Sequence, residues 1–211
     1  CLQTVFGIVS LSPGFRVEAE MGAIKRAALS ALRSARERAG PGAADTFRVD
    51  ARRSDKSFPL DSMSINREVG TYILEAVPGL EVDLDNPSLT VWVEVRDDGA
   101  YIYCRTIPGP GGLPVGASAR ALVLISGGID SPVAAWMAMK RGIPIEAVHF
   151  HSFPFTSERS KQKVVEICRQ LAKWGGPELL HVVPFTRIQR EVIAKTPEDY
   201  RVTIMRRMMF R

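Results

Sequence analysis

The stretch that decides the fold is 121–133, ALVLISGGIDSPV, in which an apolar run leads into two glycines and then into a helix-like segment. Residues 121–125 have the composition of a buried strand in the centre of a parallel sheet. Gly127 and Gly128 allow the backbone to turn tightly and to bring its N–H groups close to an anion. The order strand, glycine turn, helix therefore predicts a phosphate-binding loop.

The residues after the glycines favour the same interpretation. Pro132 suits the first position of a helix, with Ser131 as its N-cap residue. The free N–H groups and the dipole of that helix would face the phosphate, and the hydroxyls of Ser126 and Ser131 add donors. The loop is neither a Walker A motif nor a G-x-G-x-x-G fingerprint, because it lacks the lysine and the glycine spacing that these require. A strand-to-helix turn that binds nothing is the alternative interpretation.

Length and composition indicate about two domains. The chain has 211 residues, 45% of them hydrophobic, and no apolar run reaches the ~18 residues of a membrane span. The N-terminus lacks the basic region of a signal peptide, so we expect a cytoplasmic protein with no membrane partner. The first residue is not methionine and the last ten run on in a helical pattern, so we expect an internal segment of a longer protein. Cys1, Cys104 and Cys168 form no CxxC pair and are interpreted as small apolar residues.

Basic residues concentrate towards the two ends of the chain. Residues 16–56 contain ten basic and six acidic side chains, 57–110 three and nine, and 187–211 seven and three. Segregation of this kind is what a surface for a polyanion requires, although a solvated helix face would explain any single cluster equally well.

Periodicity predicts an α+β region followed by alternating strands and helices. The first region contains helices at 21–39 and 62–77 and strands at 46–53, 80–84, 89–95 and 101–105, and PGPGGLPVG at 108–116 suggests a boundary. The second region contains strands at 121–125, 145–150 and 179–184 and helices at 132–141 and 157–174. Alternation predicts a parallel sheet with helices on both faces and ligands at the carboxyl ends of its strands. His149 and Phe150 close the second strand and should therefore lie beside the loop.

Two motif sets resemble known families. SGGIDS at 126–131 resembles the PP-loop of ATP pyrophosphatases, which split ATP between the α and β phosphates. The segments ARRSDKSFP, INREVG, PGL…VDLDNP and GGLPVG are similar to a THUMP domain and the linker that follows it. Together they resemble the tRNA 4-thiouridine synthetase family over essentially all 211 residues.

The resemblance implies a fold and a domain order. The fold class is α/β, with an α+β THUMP domain followed by a doubly wound parallel-sheet PP-loop domain that is truncated at its C-terminus. We expect the end of a ferredoxin-like domain at 1–18, the THUMP RNA-binding domain at 19–107, a linker at 108–117 and the PP-loop domain at 118–211.

The resemblance also implies an ATP site that uses Mg²⁺, with Asp130 as the catalytic residue near the reacting phosphates. The expected ATP contacts are Leu124, Ile125, Ser126, Gly127, Gly128, Asp130, Ser131, His149, Phe150 and Arg206. For His149 a purely structural role is the alternative, and for Arg206 it is a solvent-facing helix surface.

The implied activity is that of a sulfurtransferase that adenylates O4 of uridine 8 in tRNA and replaces it with sulfur to give 4-thiouridine. A cysteine desulfurase as persulfide donor, a homodimer and a role in thiamine thiazole synthesis follow from the same resemblance. Arg52, Arg53 and Lys56, where a strand passes into a loop, are the candidate RNA contacts. A PP-loop enzyme that adenylates a small molecule and an RNA-binding remnant without complete catalysis remain open.

Overall fold

The computed structural model describes residues 2–40 and 45–210 and divides the chain into two compact units. The first unit is Ser10–Ile107, and the second unit combines Cys1–Val9 with Pro108–Arg211. The interpretation of Cys1 lies outside the described residues.

The first unit is a five-stranded sheet with two helices. Its helices are α1 (Met21–Ala39) and α2 (Ser62–Ala76). Its strands are β1 (Ser10–Leu11), β2 (Gly14–Val17), β3 (Thr46–Arg53), β4 (Glu81–Val82), β5 (Leu89–Arg96) and β6 (Gly99–Tyr103), and β7 (Ile107–Pro108) pairs with β1 as a separate two-stranded sheet. The order β2-β6-β5-β3-β4 has β3 parallel to β4 and β5, and β6 antiparallel to its neighbours.

Alternation along β3 decides which face of this sheet is covered. Phe47, Val49 and Ala51 are buried, and they share a core with the apolar stripes of α1 and α2. Capping fixes where α2 begins, because the Asp61 carboxylate accepts a hydrogen bond from Ser64 N–H at 2.8 Å. The first unit is thus an α+β layer structure, as the sequence predicts.

The second unit alternates strands and helices. In chain order it contains β8 (Ala121–Leu124), α3 (Asp130–Lys140), β9 (Ile145–His151), α4 (Glu158–Ala172), β10 (Leu180–Pro184), α5 (Thr186–Lys195) and α6 (Glu198–Met209). The strands form a parallel sheet in the order β10-β9-β8, and α3 and α4 pack on each other and on β9. This arrangement confirms the predicted parallel sheet.

Within the described residues, β9 lies between β10 and β8. Leu122 on β8 is 62% exposed, whereas Ala147 on β9 is fully buried. The expectation that residues 121–125 form a central strand stays a prediction.

The N-terminal segment packs within the second unit. Phe6 stacks on Trp174 with ring centroids 5.4 Å apart and meets Trp136 edge-on at 5.3 Å. The Phe6 ring is 2% exposed and belongs to the same core as Ile145. Assignment of residues 1–18 to a ferredoxin-like domain stays a prediction.

Both described cysteines are apolar packing residues. Cys104 lies against the core of the first unit, and burial raises the pKa of its thiol to about 12. Cys168 is buried in the core of the second unit, and burial raises its pKa as well. Neither thiol has the lowered pKa that a reactive cysteine needs. Within the described residues, no helix is both long and apolar enough to cross a membrane.

We expect Phe6→Ala to destabilise the second unit by about 3–5 kcal/mol, because it empties a buried aromatic position. Urea unfolding followed by tryptophan fluorescence, in a Trp92→Phe background, reports only on Trp136 and Trp174 of this unit. Val9→Ala in the same segment is the control, since Val9 is 75% exposed. A loss below about 1 kcal/mol for Phe6→Ala would contradict the packing role.

A second expectation concerns alkaline stability. The pKa of the Cys104 thiol in the folded protein lies above the ordinary thiol pKa, so the thiol of the unfolded chain ionises first as the pH rises. The contribution of the neutral thiol to the free energy of unfolding is therefore complete below pH ~9 and falls as the pH rises towards 12. The free energy of unfolding should therefore fall more between pH 8 and 10.5 in the wild type than in Cys104→Ala. The cavity left by the substitution is the same at both pH values and cancels in the difference. Equal losses in both proteins would contradict this assignment.

Candidate functional site

The loop after β8 begins beside the end of β9. Leu124 is half-buried and pairs with Val148, and Ile125 N–H donates to the Val148 carbonyl at 2.8 Å. Ile125 itself is 3% exposed and anchors the loop in the core. Residues 126–128 therefore leave the sheet at its carboxyl edge, where parallel sheets bind ligands.

Hydroxyl groups organise the loop from within. Ser126 N–H donates to Ser131 Oγ at 2.9 Å, and the two hydroxyl oxygens lie 3.2 Å apart. Gly128 N–H points at Ser126 Oγ over 3.4 Å. The two serines thus close the loop as a small ring, and a ligand would meet a preformed backbone.

The two glycines of the loop have no left-handed backbone. Neither Gly127 nor Gly128 has a positive φ, and the close approach of their N–H groups to an anion stays a prediction. A Cβ at Gly127 would lie 3.4 Å from Cδ of Lys163, and one at Gly128 would lie 3.5 Å from Ser126 Oγ. Absence of side chains here keeps the loop surface open to a ligand.

Helix α3 begins two residues earlier than the proline suggests. Asp130 is its first residue, and Ile129 occupies the cap position in helical geometry without a side-chain cap. Ser131 is therefore not the N-cap residue, and its hydroxyl is committed to the loop. Pro132 is the third helical residue, where its missing N–H removes no bond because the first turn has no internal acceptors. The uncapped first turn leaves the N–H groups of Asp130 and Ser131 for a ligand.

His149 contributes a buried nitrogen to the same edge. Its Nδ1 lies 3.1 Å from the Ile125 carbonyl, which can only accept, so Nδ1 carries the proton. Nε2 is buried and has no hydrogen-bond partner among the described residues. In the neutral ring this nitrogen is an acceptor that faces no donor. Phe150 follows on β9 and meets Phe185 edge-on at 5.3 Å.

Lys163 is a basic residue close to the loop. It lies on the second turn of α4, and its side chain passes over Gly127. The two residues line one open groove with Ser157, Arg159 and Ser160. Helix α4 follows β9, so its N-terminal turns lie near the loop. In the sequence, the position of Lys163 shortly after β9 is the feature that indicates its closeness to the loop.

Arg206 is not brought to the loop by any described contact. It lies near the end of α6, exposed, and α6 packs on α5. No hydrogen bond or ion pair of residues 2–40 and 45–210 joins it to 126–131. Its assignment to the ATP site stays a prediction.

The three candidate RNA residues differ in their exposure and in the contacts that their side chains make. Arg52 is exposed, with its guanidinium 5.5 Å from the Trp92 ring centre. Lys56 is exposed in the loop after β3. Arg53 is half-buried, and its Nη1 donates to the carbonyls of Phe58 at 2.8 Å and Leu60 at 3.1 Å. Arg53 therefore holds the loop that follows it.

The Phe58 ring is 6% exposed and belongs to the core of the first unit, so it is a packing residue. The neighbouring sheet surface has mixed charge. The Glu94 carboxylate accepts hydrogen bonds from Arg96 and from the Tyr103 hydroxyl, and these bonds lower its pKa. Glu94 consequently stays ionised opposite Arg52.

Residues 2–40 and 45–210 contain no group of three or more His, Cys, Asp or Glu side chains placed to hold a metal ion. Asp130 is the carboxylate next to the loop, and it is exposed. One carboxylate suits Mg²⁺ that is held mainly by phosphate oxygens and water. A metal held by protein side chains alone would need more ligands than this edge offers.

The assignment of His149 can be tested by long-range ¹H–¹⁵N NMR of the neutral imidazoles. We expect the proton on Nδ1 of His149, because the Ile125 carbonyl accepts it. His181 is an internal control with the opposite expectation, since its Nε2 lies 2.9 Å from the Glu146 carboxylate. A proton on Nε2 of His149 would contradict the geometry described above.

Comparisons with known proteins give one consistent family. Residues 18–105 match the THUMP domain model, and residues 116–211 match the model described as thiamine biosynthesis protein (ThiI). The chain is 56% identical over 210 residues to a "probable tRNA sulfurtransferase" of Moorella thermoacetica and 53% identical to one of Brevibacillus brevis. All of this chain is covered, but only 52% and 51% of those relatives. The chain thus spans about half the length of the curated relatives it matches.

Two solved structures have the same fold. A 4-thiouridine synthetase, crystallised in complex with RNA and with bound ATP, matches with a TM-score of 0.92 and 42% identity over 99% of this chain and 54% of that one. A protein from Pyrococcus horikoshii Ot3 matches with a TM-score of 0.78 and 30% identity over 98% of this chain and 79% of that one. The chain therefore belongs to the ThiI family of proteins, in which a THUMP domain precedes a PP-loop domain.

Proposed function

We propose that this chain is the RNA-binding and ATP-binding part of a tRNA sulfurtransferase. The observation that carries the proposal is the preformed loop at 126–131, which leaves unoccupied helix N–H groups beside the buried acceptor nitrogen of His149. The names of the relatives and the ATP and RNA in the 4-thiouridine synthetase structure support it. A cytoplasmic location, where tRNA and ATP are available, follows from the proposal.

Different residues at the loop edge would bind the phosphates and the adenosine of ATP. The backbone of Ser126, Gly127 and Gly128 and the first turn of α3 would bind the phosphates, as helix N-termini bind anions. Leu124, Ile125, His149 and Phe150 would hold the adenosine end, and His149 Nε2 would accept from a donor of the nucleoside. Arg206 would add a cation to the phosphates once α6 and the loop are bridged by the nucleotide.

Asp130 is the proposed catalytic carboxylate. Its position at the first residue of α3 places it next to the loop hydroxyls, and Mg²⁺ is the ion that such a carboxylate holds together with phosphates. When bound, this ion supplies charge neutralisation for the phosphates. Asp130 itself orients that charge towards the reacting end of the nucleotide.

The proposed reaction begins with attack of O4 of uridine 8 on the α-phosphorus of ATP. The bond from the α-phosphorus to the bridging oxygen breaks, and pyrophosphate leaves into the loop, whose N–H groups stabilise its charge. The outer sulfur of a persulfide then attacks C4 and displaces AMP, and a second thiol attacks the inner sulfur, which forms a disulfide and releases 4-thiouridine. The chain contributes positioning and electrostatic stabilisation to the first of these steps.

Neither Cys104 nor Cys168 would supply the sulfur for the second step. Cys104 and Cys168 are buried with raised pKa values, so neither is a good persulfide carrier. We propose a cysteine desulfurase as the source of the persulfide, a homodimer as the working form, and a further contribution of sulfur to thiamine thiazole synthesis.

The first unit would bind tRNA through the end of β3. Arg52 and Lys56 offer exposed cationic groups for phosphates, although Arg52 Nε lies 4.0 Å from the Asp50 carboxylate, and Arg53 fixes the course of the loop that carries Lys56. Recognition by the THUMP domain would depend on the shape of the RNA as well as on its charge.

Replacement of Asp130 by Ala should abolish the formation of AMP and pyrophosphate while changing the tRNA dissociation constant less than twofold. The measurement is release of labelled pyrophosphate from ATP with saturating tRNA, together with filter binding of the tRNA. Asp199→Ala, which removes an acid from the first turn of α6, is the matched control. A large loss of tRNA binding in Asp130→Ala would assign Asp130 to the RNA interface instead.

The same assays separate the two alternatives. Pyrophosphate release that ignores tRNA would favour an enzyme that adenylates a small molecule, and tRNA binding without any affinity for ATP would favour an RNA-binding remnant.

Arg52→Ala combined with Lys56→Ala should weaken tRNA binding and lower the slope of log K against log salt by about one unit per lost phosphate contact. Titration of tRNA at several salt concentrations measures the slope. Arg26→Ala, an exposed position on the helical side of the first unit, tests whether net charge alone explains the loss. An unchanged slope would place Arg52 and Lys56 outside the interface.

A further inference from the structure

The loop at 126–131 contains no cation of its own. Its sequence, Ser-Gly-Gly-Ile-Asp-Ser, adds a carboxylate at Asp130 where other phosphate loops carry a lysine. Two of its N–H groups, those of Ser126 and Gly128, already point at loop hydroxyls. A positive side chain from another element, in addition to Mg²⁺ and Arg206, would stabilise the charge of the β and γ phosphates as they leave as pyrophosphate.

Lys163 is the cation that the structure places over this loop. A Cβ built on Gly127 would lie 3.4 Å from Cδ and 4.0 Å from Cε of Lys163, so the methylene part of this side chain passes close to Gly127. Lys163 is exposed, and no carboxylate of the described residues lies within ion-pair distance of its ammonium group. Its charge is therefore free for a ligand.

The neighbouring basic residues differ in this respect. Lys161 on the same helix is paired with Glu158 at 2.8 Å, so its charge is already compensated. Arg159 lines the groove with Gly127, Lys163 and Glu166, but none of its atoms lies within 4 Å of a Cβ built on Gly127. Lys163 is thus distinguished from Lys161 by its lack of an ion pair and from Arg159 by its closeness to Gly127.

The helix that carries Lys163 is held in place by its own cap. Ser157 Oγ accepts from Ser160 N–H at 3.2 Å, and Val164, the next residue after Lys163, is fully buried in the core of the second unit. A fixed helix keeps the start of the lysine side chain in one position, while its ammonium end can adjust to phosphate oxygens.

We propose that Lys163 binds the β and γ phosphates of ATP and the pyrophosphate that leaves. This inference rests on the proposed function and deepens it, because it assigns the counter-charge that the loop lacks. Lys163 would then bind nucleotide phosphates and not RNA as its primary ligand, although the exposure of its side chain alone would suit both ligands.

Comparison of three ligands on the native full-length protein tests the proposal. Isothermal titration calorimetry with Mg²⁺–ATP, pyrophosphate and AMP would be performed on the wild type, Lys163→Ala, Lys163→Arg and Lys161→Ala. We expect Lys163→Ala to weaken ATP and pyrophosphate binding by about ten- to a hundredfold, the size of one lost charge-assisted hydrogen bond. AMP binding should change less than twofold, because AMP lacks the β and γ phosphates.

The other variants refine the result. Lys163→Arg keeps the charge and should retain most of the affinity for pyrophosphate, and Lys161→Ala should bind all three ligands as the wild type does. Equal weakening of AMP and ATP would overturn the proposal in favour of a structural effect. Unchanged ATP and pyrophosphate binding with weakened tRNA binding would overturn it in favour of an RNA contact. A wild type that binds neither ATP nor pyrophosphate would overturn the proposed function together with the inference.

Discussion

The candidate site depends on the parallel pairing of β8 with β9. Leu124 lies opposite Val148, and the next hydrogen bond, from Ile125 N–H to the Val148 carbonyl, ends the ladder where the loop begins. This register places the Ile125 carbonyl within reach of His149 Nδ1. A shift by one residue would turn His149 to the opposite face of the sheet and would separate the loop from its buried nitrogen. Loop, helix start and histidine are therefore consequences of one strand pairing.

The pairing of β8 with β9 leaves several polar groups at this edge without hydrogen-bond partners. A buried acceptor without a donor, such as His149 Nε2, costs about 1–3 kcal/mol, and the uncapped first turn of α3 lacks the stabilisation of a side-chain cap. The Ser126–Ser131 contacts compensate only within the loop. Unsatisfied groups that converge on one open edge are characteristic of a binding site, because a ligand can supply the missing partners.

Local patterns of the sequence predicted most of the fold but less of the site. The stripe of α1, the alternation of β3 and the order of strands and helices after residue 121 depend on near neighbours, and the structure confirms them. The carbonyl partners of Arg53 depend on the course of the loop that follows β3, which periodicity does not encode. The start of α3 was misplaced because the proline rule gave Pro132 the first position, which Asp130 holds.

Charge explains why Asp130 and Lys163 would belong to one edge. A loop with Asp130 alone would repel a triphosphate, and one with Lys163 alone would bind any anion that fits the groove. This edge carries charges of both signs, because Arg159 and Glu166 line the groove with Lys163 and Asp130 belongs to the loop. No ion pair of the described residues joins Asp130 to Lys163, so both groups can meet a ligand. A phosphate chain accompanied by a divalent cation presents both signs at once and so matches this arrangement better than a bare anion does. Selectivity for a metal–nucleotide complex would then follow from opposite charges that lie at the same edge without pairing to each other.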